Sequence, residues 1–303
     1  MSVGIVEVSP RDGLQDEPAV VPTATKVALV ERALDAGITR VEAASFVRAD
    51  RVPAMADGEQ VVAGVARRPG VRLSGLVLNR RGLERAVEAG VDEVNFVVLA
   101  TESFSRRNNG MGVGEALGTW AEVAAAATAA GIGATVTIGA SFGCPYEGRV
   151  DPATVRRIAM RAAESGPAEI ALADTIGCAV PPEVAGLVRD LAADTGLPIR
   201  VHLHNSRNTG FANALAAIEA GASTLDASIG GIGGCPFAPG ATGNVATEDL
   251  VHLLDRMGID TGARLADLID AARWLEEALG HPVPGQLVRA GPFPPAEAGA
   301  RLR

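Results

Sequence analysis

Two histidines separated by one residue, His202 and His204, are the strongest chemical signal in the sequence. Only four histidines occur in 303 residues. On a strand, side chains at i and i+2 point to the same face, so both imidazoles would enter one site. The alternative is a chance pair in which one histidine is hydrogen-bonded in the core. Asp12 adds an oxygen ligand, and this donor set favours Mg²⁺ or Mn²⁺. Zinc is disfavoured because no cysteine has ligand spacing to the pair.

Arg11 and Glu42 are charged residues that we expect beside this triad. A divalent ion would bind vicinal substrate oxygens and polarise them. Arg11 would neutralise an enolate or carboxylate oxygen. Glu42 would hold a metal ligand or a metal-bound water, or it would pair with Arg11, and the two roles are compatible.

A glycine-rich loop at residues 229–244 carries a third kind of chemistry. It holds six glycines, two prolines and Cys235, and so many glycines indicate close backbone approach or positive φ. We expect a mobile active-site loop in which the Cys235 thiol, with a reference pKa of about 8.5, transfers a proton. The alternative for Cys235 is a small buried apolar side chain. Cys144 and Cys178 are expected to be structural.

Composition limits the class of protein. The net charge of −9 argues against a nucleic-acid-binding surface. Three widely spaced cysteines suit a reducing compartment. The sequence lacks a run of eighteen apolar residues and a recognisable secretory leader, so we expect no membrane span and a cytoplasmic location.

The elements that must position these residues alternate along the chain as β-like and helical runs. Glycine often follows the helical runs, as expected just past a helix end. The predicted strands are residues 4–8, 39–44, 71–78, 93–99, 134–141, 169–173, 199–204 and 224–228. The predicted helices are residues 23–36, 81–89, 113–130, 152–164, 182–194, 210–220, 247–257 and 265–279.

Eight such units predict an α/β fold, a (β/α)₈ TIM barrel with an extra C-terminal helical segment. The alternative, an open dinucleotide-binding sheet, lacks the G-x-G-x-x-G after the first strand. We expect one domain over residues 1–303, with the barrel at about 4–258 and the extension at about 259–303. Barrel enzymes place function at the carboxyl ends of the strands. Notable polar residues fall there: Arg11, Asp12, Glu42, Ser45, Asp174, Thr175, His202 and His204.

These motifs resemble those of 3-hydroxy-3-methylglutaryl-CoA lyases, from about residue 4 to residue 262. The likeness rests on VEVSPRDGLQDE, VEAASFV, FGCPYEG, ADTIG, HLHN and GGIGGCPFAPGATGNVATEDLVHLL. The G-G-C-P loop distinguishes the lyases from the related synthases. The resemblance implies a TIM barrel that cleaves hydroxymethylglutaryl-CoA to acetoacetate and acetyl-CoA, with Mg²⁺ or Mn²⁺, no organic cofactor, and a homodimeric assembly.

The resemblance also implies a role for each matching residue. Asp12, His202, His204 and Asn244 would bind the metal. Arg11 would stabilise the thioester enolate, Cys235 would protonate it, and His202 or Asp12 would take the hydroxyl proton. We then expect the loop to be pinned at Asn244 and disordered at residues 230–239. Residues expected around the metal or the substrate are Gln15, Glu42, Ser45, Asp174, Thr175 and Asn205.

Several positions depart from the family pattern. Residues 205–208 read Asn-Ser-Arg-Asn where Asp-Thr-x-Gly is usual, Thr137 replaces an aromatic residue, and Pro18 replaces a basic one. The departures put the group on the tertiary carbon in doubt, so citramalyl-CoA or a longer glutaryl analogue is an alternative substrate. An asparagine directly after H-x-H, here Asn205, resembles the pattern of the 4-hydroxy-2-oxoacid aldolases. A Claisen-type synthase or aldolase, and a non-catalytic barrel, are the competing functions.

Arginines are expected in loops around the active face, where they would attract an anionic CoA ester. For any single arginine, ordinary solvation is the alternative. The residues concerned are Arg48, Arg51, Arg80, Arg81, Arg106, Arg107 and Arg207.

Overall fold

Eight parallel strands close into a barrel in the computed structural model, which describes residues 1–234 and 243–293. Around the barrel the strands follow the order β1-β10-β9-β8-β5-β4-β3-β2. Their bounds are β1 Gly4–Glu7, β2 Arg40–Ser45, β3 Arg72–Val77, β4 Glu93–Leu99, β5 Gly133–Gly139, β8 Ile170–Asp174, β9 Ile199–Leu203 and β10 Thr224–Ala227. The predicted (β/α)₈ TIM barrel is confirmed, and each predicted strand is correct to within two residues at either end.

Helices cover the outside of the barrel, so the strands are buried on both faces and read as nearly continuous apolar runs. The helices are α1 Thr23–Asp35, α2 Gly58–Gly64, α3 Arg80–Ala89, α4 Glu102–Asn109, α5 Val113–Ala129, α6 Pro152–Ala163, α7 Pro181–Thr195, α8 Gly210–Glu219, α9 Thr247–Arg256, α10 Leu265–Leu279 and α11 Leu287–Ala290. None of these helices is both long and apolar enough to cross a bilayer.

Three helices, α2, α4 and the four-residue α11, and a hairpin were not predicted from the sequence. Helix α2 has seven residues, and α4 buries only Phe104 and Ser105, so neither has a long apolar stripe. The hairpin pairs β6 Gly143–Cys144 with β7 Gly148–Arg149. The prediction that all the active-face arginines lie in loops was wrong. Arg80 and Arg81 begin α3, while Arg106 and Arg107 lie in the last turn of α4.

Helix α10 packs outside the barrel against α1 and α9. On the other side of α1, the chain's single lysine, Lys26, is 1% exposed. Its Nζ donates to the Ala54 carbonyl at 2.6 Å and lies 2.5 Å from the Asp57 carboxylate. This buried ion pair connects α1 to the chain leading into α2.

Candidate active site

One turn of π-helix, Ser9–Gly13, follows β1 and positions Arg11 and Asp12. The amides of Asp12 and Gly13 both donate to the Val8 carbonyl, at 2.8 and 3.2 Å. Such wide turns are rare and often occur at functional sites. A Cβ on Gly13 would lie 2.8 Å from the Ile232 side chain. A glycine at this position therefore lets the turn pack against the start of the glycine-rich loop.

His202 and His204 leave the end of β9 on the same face, as predicted. Their Nε2 atoms are 3.2 Å apart, and the His202 Nε2 is 3.9 Å from Asp12 Oδ2. In the described parts of the chain, these three residues form the one group whose ligand atoms all lie within 4.8 Å of one another. Two segments that are far apart in the sequence thus bring two imidazoles and a carboxylate together.

Asn244 closes the site from the far end of the glycine-rich loop. A β-bridge joins it to His204, and its Nδ2 donates to Asp12 Oδ2 at 2.8 Å and to the Ile232 carbonyl at 3.1 Å. In this orientation the amide nitrogen faces Asp12 and holds the carboxylate in place. Metal ligation by Asn244 through oxygen requires its amide to turn, and that role stays a prediction.

Arg11 lies between two carboxylates. It forms ion pairs with Glu42 and, at 2.7 Å, with Asp12, so the expected Arg11–Glu42 partnership is present. Burial raises the pKa of the Asp12 carboxyl, but the charges of Arg11, His202 and His204 outweigh burial and hold that pKa below its ordinary value. Asp12 is therefore an anion at neutral pH, which is the form that binds cations.

The two histidines differ in electrostatics. Burial and the neighbouring His202 lower the pKa of His204 to about 4. Burial also acts to lower the pKa of His202, but its hydrogen bond to Asp226 and the charge of Asp12 raise the pKa above the ordinary value. The Nδ1 of His204 is buried and has no hydrogen-bond partner in the part of the chain that the structure describes. Converging imidazole nitrogens beside an anionic carboxylate fit a divalent cation.

The triad opens onto a cavity of about 200 Å³. Gln15 and Thr175 line it, and their contact with a substrate stays a prediction. Its apolar lining comes from Leu76, Leu78, Val97, Leu99 and Phe104. The cavity therefore has both charged and apolar lining residues.

The remaining predicted positions, Ser45, Asp174 and Asn205, are not lining residues of this cavity. Ser45 is buried, and its Oγ accepts from the Val47 amide at 3.4 Å. The Asp174 carboxylate accepts the amides of Cys178 and Ala179 at 2.9 and 3.0 Å, which ends β8 in a tight turn. Asn205 lines a neighbouring cavity together with Asn244.

The predicted CoA-binding arginines are all exposed, and most of them contact another side chain or a backbone carbonyl. Salt bridges join Arg48 to Asp50, Arg80 to Glu84 and Arg106 to Glu102. Arg107 lies 4.6 Å from the centre of the Tyr146 ring, and Arg207 donates to the Ile176 and Gly177 carbonyls. Arg48, Arg81 and Arg85 line a separate cavity beside the ends of β2 and β3.

Sequence reasoning missed Asn95 and Asp226. Asn95 Nδ2 donates to the Glu42 carboxylate at 2.9 Å, and Asp226 Oδ2 lies 3.2 Å from His202 Nδ1. Both are polar residues inside otherwise apolar barrel strands, which is the signal that could have identified them. Cys235 and half of the segment predicted to be disordered, residues 235–239, lie outside the described residues.

Comparisons with known proteins agree with this geometry. A family model described as HMGL-like matches residues 2–275. The (R)-citramalyl-CoA lyase of Chloroflexus aurantiacus is 45% identical, over 97% of this chain and 96% of its own length. The mitochondrial hydroxymethylglutaryl-CoA lyase of Mus musculus is 40% identical, over 95% of this chain and 89% of its own length. A structure of an HMG-CoA lyase from Acenitobacter baumannii, in complex with coenzyme A and 3-methylmalate, superimposes with a TM-score of 0.92 and 38% identity, over 97% of this chain and 96% of that one. The chain therefore belongs to the HMGL-like family, the family of the 3-hydroxy-3-methylglutaryl-CoA lyases, and is a carbon–carbon lyase.

Proposed function

We propose that the chain is a divalent-metal-dependent acyl-CoA lyase that cleaves 3-hydroxy-3-methylglutaryl-CoA to acetoacetate and acetyl-CoA. The observation that carries the proposal is the convergence of Asp12, His202 and His204 at the carboxyl ends of the barrel strands, with Arg11 paired to Asp12. Relatives named as CoA lyases, and a related structure with coenzyme A, support an acyl-CoA substrate.

Asp12, His202, His204 and Asn244 would hold Mg²⁺ or Mn²⁺, and no organic cofactor is required. When bound, the ion would supply Lewis acidity to the tertiary hydroxyl and a carboxylate oxygen of the substrate. His202 and His204 would bind through Nε2, since these two atoms face each other 3.2 Å apart. The Asn244 amide already contacts Asp12, so a half-turn of that amide would direct its oxygen to the same point.

The chain's own residues would then carry the retro-Claisen steps. Asp12 takes the proton of the tertiary hydroxyl, because the ion would occupy His202 Nε2 and His202 Nδ1 faces Asp226. The bond between C2 and C3 breaks, the oxygen lone pair forms the ketone of acetoacetate, and the C2–C3 electron pair becomes the thioester enolate. Arg11, held by Glu42, stabilises the enolate oxygen. Cys235 gives a proton to C2, and acetyl-CoA is released.

Cleavage of citramalyl-CoA to pyruvate and acetyl-CoA is the second candidate. The observation in its favour is the 45% identity to an (R)-citramalyl-CoA lyase, compared with 40% to a hydroxymethylglutaryl-CoA lyase. The two substrates differ by one methylene between the tertiary carbon and the carboxylate. One methylene changes kcat/KM by only about 10-fold to 200-fold in an apolar pocket, so both substrates must be assayed.

A panel of 3-hydroxy-acyl-CoA esters, assayed with Mg²⁺ or Mn²⁺, tests the reaction. The expected products are acetyl-CoA with acetoacetate, or acetyl-CoA with pyruvate for the second candidate. If no ester in the panel releases acetyl-CoA, the lyase proposal fails and a synthase or aldolase becomes the better assignment.

Replacing Cys235 tests the proton donor. We expect Cys235→Ser to lower kcat by about 10²-fold to 10⁴-fold without weakening Mn²⁺ binding. Cys178→Ser is the matched control, because burial raises the pKa of the Cys178 thiol to about 12 and takes it out of proton transfer at neutral pH. An equal effect of both substitutions on kcat would rule out a specific role for Cys235.

The cavity lined by Arg48, Arg81 and Arg85 is where we propose that the CoA phosphates bind. Arg81 has no ion-pair partner in the described ranges, whereas the adjacent Arg80 pairs with Glu84. We expect Arg81→Ala to raise KM for a CoA ester about tenfold and to spare a truncated pantetheine thioester, since one charge-assisted contact contributes about 1.5 kcal/mol. Arg80→Ala is the control. If Arg81→Ala changes both substrates equally, the cavity does not hold the phosphates.

The homodimer and the cytoplasmic location stay predictions. Sedimentation velocity on the purified chain would establish the assembly, and a mass of two chains is expected. Fractionation of the source cells would establish the location, with the lyase activity expected in the cytoplasmic fraction.

A further inference from the structure

A network of polar side chains inside the barrel connects Arg11 to His202. Arg11 pairs with Glu42, Asn95 donates to Glu42 at 2.9 Å, and Thr137 donates to Asn95 at 2.9 Å. The Arg200 guanidinium then donates to the Thr137 hydroxyl at 3.4 Å. Arg200 is 1% exposed, and the network ends where Arg200 pairs with the Asp226 carboxylate. These side chains therefore reach the site from the barrel interior.

Asp226 lies between Arg200 and His202. It is opposite His202 in the register of β9 and β10, and its Oδ2 is 3.2 Å from His202 Nδ1. Its other oxygen, Oδ1, is 3.5 Å from Arg200 Nε. Asp226 is buried, and the positive charge of the Arg200 guanidinium beside it favours the ionised carboxylate. Asp226 is therefore a buried anion with one oxygen on each neighbour.

An ionised carboxylate accepts hydrogen bonds and cannot donate them. When the His202 ring is neutral, its proton must then reside on Nδ1, and the Nε2 lone pair points toward Asp12 and His204. His204 differs, because its Nδ1 is buried and has no hydrogen-bond partner among the described residues, none of which fixes its tautomer. The carboxylate contact thus fixes the tautomer of His202, whereas no such contact fixes the tautomer of His204 among the described residues.

We propose that Asp226 is a positioning residue for His202, fixing its Nδ1–H tautomer and ring orientation so that Nε2 is ready for a divalent cation. The proposal rests on the proposed metal-dependent function for the identity of that cation. A carboxylate or carbonyl on the second nitrogen of a metal-binding histidine raises ligand basicity and holds the ring. Arg200 holds the Asp226 carboxylate in turn.

Nitrogen NMR on the metal-free chain tests the tautomer without any catalytic assay. Histidine labelled with ¹⁵N gives four ring systems, and the loss of one in His202→Gln assigns His202. At alkaline pH we expect the correlations of a ring protonated on Nδ1. A ring protonated on Nε2 would overturn the proposal, and this measurement requires no substitution at Asp226.

Asp226→Asn gives a directional result. Arg200 Nε, 3.5 Å from Asp226 Oδ1, carries a proton and cannot accept one, so the new amide should turn its oxygen to Arg200 and its nitrogen to His202. The amide then donates to Nδ1, and the ring proton moves to Nε2, where the cation would bind. We expect the tautomer to invert and the Mn²⁺ dissociation constant to rise about 10-fold to 100-fold by calorimetry. An unchanged affinity or tautomer would contradict the proposal.

Glu93→Gln is the matched control. Glu93 is buried in the same barrel interior and binds Arg40 at 2.7 Å, and it contacts no histidine within the described residues. Buried ion pairs join five residues into one charge cluster: Glu93, Arg40, Glu169, Arg200 and Asp226. Both substitutions remove one anion from this cluster, so both should lower the melting temperature. Only Asp226→Asn should change the tautomer and the Mn²⁺ affinity. Equal losses of affinity would assign the effect to the cluster as a whole. Retained Mn²⁺ binding with no lyase activity would refute the proposed function alone.

Discussion

Glu248, at the start of α9, should make the stability of the chain depend on pH. Its side chain is buried, its Oε2 accepts the Gly230 amide at 3.0 Å, and its Oε1 has no hydrogen-bond partner. Burial raises the pKa of this carboxyl from 4.5 to about 8. Between these two pH values the folded chain holds a proton that the unfolded chain has lost. The free energy of unfolding should therefore fall as pH rises through this window and level off above the folded pKa.

The size of this effect follows from the two pKa values. At about 1.4 kcal/mol for each pH unit, the contribution lost across the window is on the order of 5 kcal/mol. Glu248→Gln keeps the shape of the side chain and removes the titration. At about pH 9 the variant should be more stable than the parent chain by an amount of that order, and the advantage should shrink toward about pH 5.

Urea unfolding of both chains at a series of pH values measures the difference directly. Other buried carboxyls titrate in both chains, so their contributions cancel in the comparison. Glu219→Gln, in α8, is the control for removing one negative charge, because this side chain is exposed and forms no ion pair with any described residue. Parallel pH profiles for Glu248→Gln and the parent chain would refute the argument.

Three further results are expected. Gly233 has φ of +102°, and an added Cβ would lie 2.5 Å from the Asn244 amide nitrogen. Gly233→Ala should therefore weaken Mn²⁺ binding about tenfold or more, as measured by calorimetry. Gly234→Ala should leave Mn²⁺ binding unchanged, because no described atom lies within 4 Å of the added Cβ. A Cβ on Gly285 would collide with the Glu248 carboxylate, so Gly285→Ala should lower the unfolding free energy by about 1–3 kcal/mol in urea. The unfolding free energy should be about 2.7 kcal/mol lower after a chelator removes the metal than in the presence of the cation at 100 times its Kd. An unchanged unfolding free energy would exclude binding of the cation to the folded state.

The barrel was predictable because most strands are largely apolar runs that follow a helix ending in glycine. The pairing of His202 with His204 followed from strand periodicity alone, and Asp12 followed from the rule that barrel function lies at the carboxyl ends of strands. Asn244 required the family resemblance, because it lies in a loop far beyond the end of β10 at Ala227 and gives no periodic signal.

Other features required the folded structure. The π-turn at Ser9–Gly13 depends on a hydrogen-bond register that no local propensity encodes. Helix α4 is too polar for its periodicity to be recognised, which is why Arg106 and Arg107 were placed in a loop. The contact of Asp226 with His202 depends on the relative register of two strands, and register is a property of the closed barrel rather than of either segment.

The burial of Lys26 has a consequence for a chain proposed to handle thioesters. Activated acyl groups react with free amines, and this sequence contains one lysine, held against Asp57 and the Ala54 carbonyl. In the folded state the lysine is 1% exposed, so it can be acylated only when α1 separates from the chain before α2. The rate of acylation at Lys26, followed by mass spectrometry in the presence of an amine-reactive reagent, therefore reports how often that part of the barrel wall opens.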